Sequence, residues 1–393
     1  MFIKSAYIHI PFCKRRCFYC DFPVTVLGDN SGNHYSPWQK EYVDFLCQEI
    51  MATPKQNTLP LATVFFGGGT PSLLAIQGLE IILNTLNQHF GISKNAEISL
   101  EIDPATFNLR KLKQYQKLGI NRVSLGLQAF QDNLLEICGR THRLTDINQS
   151  IDWIHQANFD NWSLDLISGL PRQSLHDWQE SLEKAIALQP KHLSCYDLVL
   201  EPVTVFGKKY AQGDNPLPLD ETAAKMYCLA SEILQKAGYN HYEISNYGKK
   251  GYECQHNQVY WHNESYHGFG MGAASYTNNK RFTRPRTRKE YFAWVGKYCQ
   301  NLGIIDIPVT SKNDQLLETL MLGLRLKKGI NLEKVKTNFG EGIADNILKS
   351  LDSFLEDKSV IFDENTHVLR LTDPQGFLYS NTVLTALFST FDN

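Results

Sequence analysis

The chain lacks any apolar run approaching the roughly 18 residues that a bilayer-spanning helix needs, so no membrane span is expected. It lacks an excess of either charge. Lys and Arg number 39 against 41 Asp and Glu, for a formal net charge of −2, which argues against a nucleic-acid-binding surface. It lacks a disulfide framework, which would be dense and even in number. There are nine cysteines, and six stand alone, at Cys47, Cys138, Cys195, Cys228, Cys254 and Cys299. A reducing, cytoplasmic setting is the expectation. The opening M-F-I-K-S-A-Y-I-H-I turns polar too soon for a signal peptide. There is no low-complexity tract and no internal repeat. The 393 residues, 42% hydrophobic and 20% charged, suit a globular chain with a large core, of two or three domains by length.

What is present is a trio of cysteines, Cys13, Cys17 and Cys20, in Y-I-H-I-P-F-C-K-R-R-C-F-Y-C. Three thiolates on one short loop can hold three irons of a [4Fe–4S] cluster. Such clusters normally take four cysteines, so a loop supplying three leaves one iron open to a ligand from outside the protein. A zinc knuckle or unrelated buried thiols are the competing chemistries. Zinc sites usually add a second Cys/His pair at similar spacing, and none lies nearby.

Short β-rich runs alternate with amphipathic stretches. Strands are expected at Ala6–Ile10, Thr63–Phe66, Glu97–Ile102, Arg122–Gly126, Trp162–Ile167 and His192–Leu198. Helices are expected around Trp38–Ile50, Leu79–His89, Leu109–Leu118 and Trp178–Leu188. This alternation implies parallel strands with crossover helices, and six repeats fit an α/β fold of the incomplete (β/α)6 barrel type. A doubly wound sheet is the alternative, but no GxGxxG follows the first strand. Tyr239–Ser245 reads as a further strand and Gly248 to Arg288 as irregular. From about Thr310 the pattern becomes helix, helix, hairpin, helix, a smaller α+β winged-helix-like domain without a basic face. The expected divisions are therefore 1–245, 246–309 and 310–393.

In parallel barrels, functional groups sit at the C-terminal ends of strands. The cysteines follow the first strand and Gly67-Gly68-Gly69-Thr70-Pro71 the second. Glu101 and Asp103 close the third, Gln128 follows the fourth, and Asp165 closes the fifth. Glycines let backbone approach a ligand closely, so the N–H and C=O groups of the Gly-rich turn could hold one. Glu101 and Asp165 are acids on apolar strands, where a buried carboxylate needs a partner. That partner is a ligand amine or hydroxyl, or else a neighbouring Arg. Gln128 could serve ligand or backbone. Arg140 could pair with a carboxylate or cover the surface, and Tyr7 could face the cysteine loop or be structural.

The CxxxCxxC spacing is similar to that of the radical S-adenosylmethionine (SAM) superfamily. From Y-I-H-I-P-F-C through D-L-I-S-G-L-P to M-L-G-L-R-L-K-K-G-I, the chain resembles the oxygen-independent coproporphyrinogen oxidase-like branch. The resemblance implies a [4Fe–4S] cluster on Cys13, Cys17 and Cys20. It implies SAM contacts at Tyr7, Gly68, Gly69, Thr70, Glu101, Gln128, Arg140 and Asp165, with Tyr19 against the adenine. True oxidases bind two SAM molecules, so those positions need not all touch one.

Two departures choose the subfamily. The oxidases carry a fourth cysteine two residues after the trio, where this chain has Phe22. The chain also contains His256-Asn257-Gln258-Val259-Tyr260-Trp261, and H-N-x-x-Y-W marks the haem chaperone subfamily called HemW. By that resemblance His256 is the haem-iron ligand and haem the cargo. A hydrogen-bonded histidine organising a loop is the alternative, and Cys254, His262 and His267 are other candidate ligands. Arg281, Arg284, Arg286 and Arg288 could meet haem propionates or an anionic partner surface, or form a solvated loop. The implied partners are haem and haem-accepting proteins, among them respiratory proteins reached peripherally at the membrane. The cluster would support homodimerisation and transfer. The alternative is oxidative decarboxylation of coproporphyrinogen III or, beyond that, radical chemistry on another substrate.

Overall fold

Six parallel strands form the centre of the computed structural model, which describes residues 2–28, 35–55 and 57–391. They are β1 (Ile3–Ile10), β2 (Thr58–Gly68), β3 (Ile92–Ile102), β4 (Arg122–Gln128), β5 (Asn161–Ser168) and β6 (His192–Asp197). They neighbour one another in that order, each pair parallel. Parallel neighbours need crossover connections. Helices Pro37–Ala52, Ile76–His89, Leu109–Lys117, Leu144–Gln156 and Leu175–Ala187 provide them. The expected α/β architecture is therefore present, and every strand's C-terminal end lies at one mouth.

Local sequence explains the helix starts. Asn108 and Ser174 accept hydrogen bonds from the backbone three residues on, and the Asp177 carboxylate in turn accepts from the Ser174 N–H, a capping box. The helices bury apolar stripes against the sheet. Ile76–His89 contributes Leu79, Ile82, Leu83 and Leu86, each almost wholly buried and each contributing about 1.5–3 kcal/mol.

Period-2 alternation sorts the strand residues. On β3, Ile98, Leu100 and Ile102 join the core under the helices. Ser99 and Glu101 point the other way, into the barrel. So do Tyr7, Thr63, Arg122, Ser124, Ser163, Asp165 and His192 on the remaining strands. The barrel interior is polar.

The segment read as irregular contains real elements. The strand expected at Tyr239–Ser245 is β7 (Asn240–Glu243), which pairs antiparallel with β8 (Asn246–Gly248) beyond β6. A helix at Gln255–Trp261 follows, then β9 (His267–Phe269), which adds in parallel to the free edge of β1. A hairpin at Ala274–Thr277 and Lys280–Thr283 and a helix at Arg288–Gln300 complete it. Apart from that last helix, these elements run three to seven residues, too short to show a period, and long-range contacts hold them. Arg284 is central to this. It is buried, pairs with Glu49 at 2.7 Å, and lies over the rings of Phe269, Phe282 and Trp294. Arg284 is therefore not part of a solvated loop, whereas its neighbours Arg281 and Arg286 are exposed and pair with Glu318 and with Asp21 of the cysteine loop, and Arg288 stacks on Trp38.

The C-terminal part has its own core, built on Leu316, Leu320, Ile347, Leu351, Leu369 and Phe377. Helices Lys312–Gly323, Leu332–Phe339 and Ile343–Ser350 pack with a three-stranded antiparallel sheet of Ile330–Asn331, Val368–Leu371 and Val360–Asp363. Asp373 joins it to the barrel by accepting from His241 and from the Ser231 hydroxyl, each at 2.8 Å.

Candidate functional site at the barrel mouth

The C-terminal ends of the strands surround a cavity of about 500 Å³. Cys13, Cys17, Cys20, Tyr19, Gly68, Gly69, Thr70, Glu101, Gln128, Arg140 and Asp165 all line it. Tyr7 does not. It lies one layer down, its hydroxyl 3.1 Å from His9 Nδ1 and its ring against Phe65.

The surroundings of the three thiols suit thiolate ligation. The Thr70 hydroxyl is 3.7 Å from Cys13 Sγ, Arg140 Nη1 is 3.6 Å from Cys17 Sγ, and the Phe22 amide donates to Cys20. Burial pushes the Cys13 thiol up to about 12 and raises Cys20 too, so metal must displace protons to bind. Among the described residues, no three His, Cys, Asp or Glu side chains converge closely enough to chelate a single metal ion. A cluster, which presents a separate iron to each thiolate, asks less convergence of them.

The Gly-rich turn is stitched to the cysteine loop. Gly69 N–H donates to Ile10 O and Thr70 N–H to Phe12 O, at 2.9 and 2.7 Å, and Gly68 N–H donates to Glu101. These amides are spent on protein, contrary to the expectation that they meet a ligand; the carbonyls are what the turn can offer. Gly68 has φ +112°, and a Cβ there would lie 2.5 Å from the His9 ring.

Glu101 and Asp165 stand at the cavity floor, and neither forms an ion pair among the described residues. Burial first, then Asp165, pushes Glu101 up to about 8. Asp165 is raised by burial and accepts from Ser124 at 2.9 Å. The floor is therefore poised to ionise against a cationic ligand. Arg140 is no surface cover: its side chain is 8% exposed and pairs with Asp103 at 2.5 Å. Asp103 shares Glu101's inward alternation and also accepts from Thr70; that alternation is the signal that marks it as a site residue. Gln128 has φ +74° at a register shift between β4 and β5, a strained backbone of the kind that gathers at functional sites.

His256 lies elsewhere. It is fully buried, with Nδ1 2.7 Å from Thr63 Oγ1 and Nε2 2.8 Å from the Tyr260 hydroxyl. Both ring nitrogens therefore have hydroxyl partners. Burial, and then Arg122, press its pKa down to about 3. Cys254 and His267 are buried as well, while His262 is exposed.

Comparison with known proteins agrees with this geometry. Residues 7–185 match the family model of the radical SAM superfamily and residues 310–378 that of the HemN C-terminal domain. The chain is 49% identical to the heme chaperone HemW of Synechocystis sp., over 99% of this chain and 97% of that protein. The chain belongs to the HemW family of radical SAM proteins. The HemW of Bacillus subtilis is 35% identical over 98% of this chain and 99% of its own length. The solved structure of coproporphyrinogen III oxidase (HemN) from Escherichia coli superposes with a TM-score of 0.81, at 22% identity, over 97% of this chain and 89% of that one; that likeness is one of fold. Membership of the superfamily implies a [4Fe–4S] cluster and SAM as cofactors. No helix among the described residues is long and apolar enough to cross a membrane.

Proposed function

We propose that this protein is a haem chaperone of the radical SAM type, carrying haem and handing it to haem-requiring proteins, including respiratory proteins at the membrane. Cys13, Cys17 and Cys20 would hold the cluster, with Thr70, Arg140 and the Phe22 amide donating to the sulfurs. Glu101, Asp165, Gln128, Tyr19 and the Gly68–Thr70 carbonyls would hold SAM. When bound, the cluster supplies an electron to the SAM sulfonium. The protein's own side chains hold and orient the two cofactors, and none of them breaks a bond.

The observation that carries the reading is the rim of the cavity. Phe22 and Val199 line it yet are 60% and 64% exposed. Val203 and Val205, further along the chain, are exposed too, and this segment is docked on the cysteine loop by Phe18 against Phe206. Lys14 and Arg16 line the same mouth. A cavity of this size takes one drug-sized ligand, so with SAM inside, a second, larger one rests on the rim. Flat apolar rings with carboxylate arms match apolar residues flanked by cations. Phe22, where an oxidase carries another cysteine, is part of that rim.

Haem titration of anaerobically reconstituted protein tests the reading. Saturable binding at one haem per chain is expected, with transfer to an apo acceptor. Replacing any of Cys13, Cys17 or Cys20 by Ala should remove the cluster's absorbance. Haem that binds no better to the reconstituted protein than to an unrelated protein of similar charge would sink it.

A further inference from the structure

The helix Gln255–Trp261 packs beneath the cavity, at the depth of Thr63. Thr63 precedes Gly68 by five residues on β2, which places His256 about 16 Å below the turn that lines the mouth. Three rings bridge that depth. His256 stacks on Phe65 with centroids 5.3 Å apart, and Phe65 on Tyr7 at 6.3 Å, with interplanar angles of 25° and 23°. Tyr7 and Phe65 then crowd Gly67. A Cβ there would lie 3.0 Å from each ring and 3.1 Å from Glu101 Oε2.

A second connection runs in parallel. The backbone N–H groups of Gln255 and His256 donate to Glu97, each at 3.2 Å. Glu97 and Glu101 point to the same side of β3, four residues apart. Between these levels sits Arg122, 2% exposed, with its Nε bonded to nothing among the described residues. The motif helix thus bears on the carboxylate floor through stacked rings and through one strand.

We propose that His256 is a positioning residue for the SAM cavity, not an axial ligand to haem iron. Its ring fixes Phe65, Phe65 fixes Tyr7, and together they set Glu101 at the cavity floor. Partners one layer behind a site orient the residues that touch the ligand. The two hydrogen bonds to Thr63 and Tyr260 hold the imidazole plane within 25° of the Phe65 ring, so an aromatic ring is what the position requires. The proposal rests on the reading of the cavity as a SAM site.

The test uses full-length protein reconstituted anaerobically, with SAM affinity by equilibrium dialysis, the SAM-induced change in the reduced cluster's EPR spectrum, and haem affinity. His256→Ala should weaken SAM on the order of tenfold and diminish the EPR change, at unchanged iron content. His256→Phe keeps the stack and has no nitrogen for iron; it should restore most of the SAM affinity and bind haem like wild type. Phe65→Leu keeps apolar volume without a ring and should weaken SAM like the alanine variant. SAM affinity unchanged in His256→Ala or in Phe65→Leu would overturn the proposal. So would a His256→Phe variant that binds SAM as poorly as His256→Ala, or that loses haem while wild type retains it. Wild-type protein that binds no SAM would overturn the cavity reading, and the proposal with it.

Discussion

Arg140 and Asp103 form an ion pair at 2.5 Å beside Cys17, with side chains 8% and 23% exposed. The same guanidinium donates to Gly126 O at 2.8 Å and approaches Cys17 Sγ at 3.6 Å. One cation thereby ties the end of β4, the end of β3 and the cysteine loop together. Arg140→Leu leaves Asp103 without its partner and should destabilise the protein by about 3 kcal/mol, read by urea denaturation. In reconstituted protein it should also lower the cluster's midpoint potential, because donors to the sulfurs favour the reduced state. An unchanged potential would separate Arg140 from the cluster.

Gly68 tolerates no side chain. At φ +112°, with the His9 ring 2.5 Å from any Cβ, Gly68→Ala meets backbone strain of about 1–3 kcal/mol and a clash with a buried ring. Reduced thermal stability and reduced iron incorporation are expected together. Gly251→Ala, at φ +85° with nothing within 4 Å, is the control for backbone strain alone. It should lose stability and keep its iron.

Glu101 predicts a pH dependence. Its carboxyl is raised from 4.5 to about 8 by burial and then by Asp165. Between those values the folded protein holds a proton that the unfolded chain has released, so stability of the ligand-free protein should fall as pH rises across that window. Water in the cavity limits the effect to on the order of 1–2 kcal/mol. Glu101→Gln should flatten the profile when thermal melts are compared at pH 5.5 and 8. Binding a cation such as SAM should release a proton below pH 8, visible calorimetrically as a dependence on buffer ionisation enthalpy.

The rim predicts a separable effect on cargo. Phe22→Asp and Val199→Asp place charge where apolar surface stands exposed at 60% and 64%. Each should weaken haem binding about tenfold, the equivalent of roughly 1.4 kcal/mol of lost apolar contact. In the Val199 variant, which lies away from the cysteine loop in sequence, iron content should not move. Titration of the Soret band beside cluster absorbance checks both at once.

The barrel was legible because its strands are short apolar runs that end in unusual residues. Glu101, Gln128 and Asp165 stand out for their positions on strands, and the structure brings all three to one cavity with the cysteines and the Gly-rich turn. Local pattern could not show where hydrogen bonds go. The amides of Gly69 and Thr70 are consumed by Ile10 and Phe12, partners more than fifty residues away in sequence. The same gap misplaced Arg284: one of four arginines in a short run, it is interior only because Glu49 waits on a distant helix. His256 was legible as a motif but not as a location. Its burial depends on Thr63 and Phe65, whose inward direction only the assembled barrel fixes.

One anaerobic experiment tests the central claim most directly: reconstituted, reduced protein incubated with SAM and either haem or coproporphyrinogen III. The account predicts stoichiometric haem binding, transfer to an apo acceptor, and no protoporphyrinogen IX. Conversion of coproporphyrinogen III to protoporphyrinogen IX by the same preparation would contradict it.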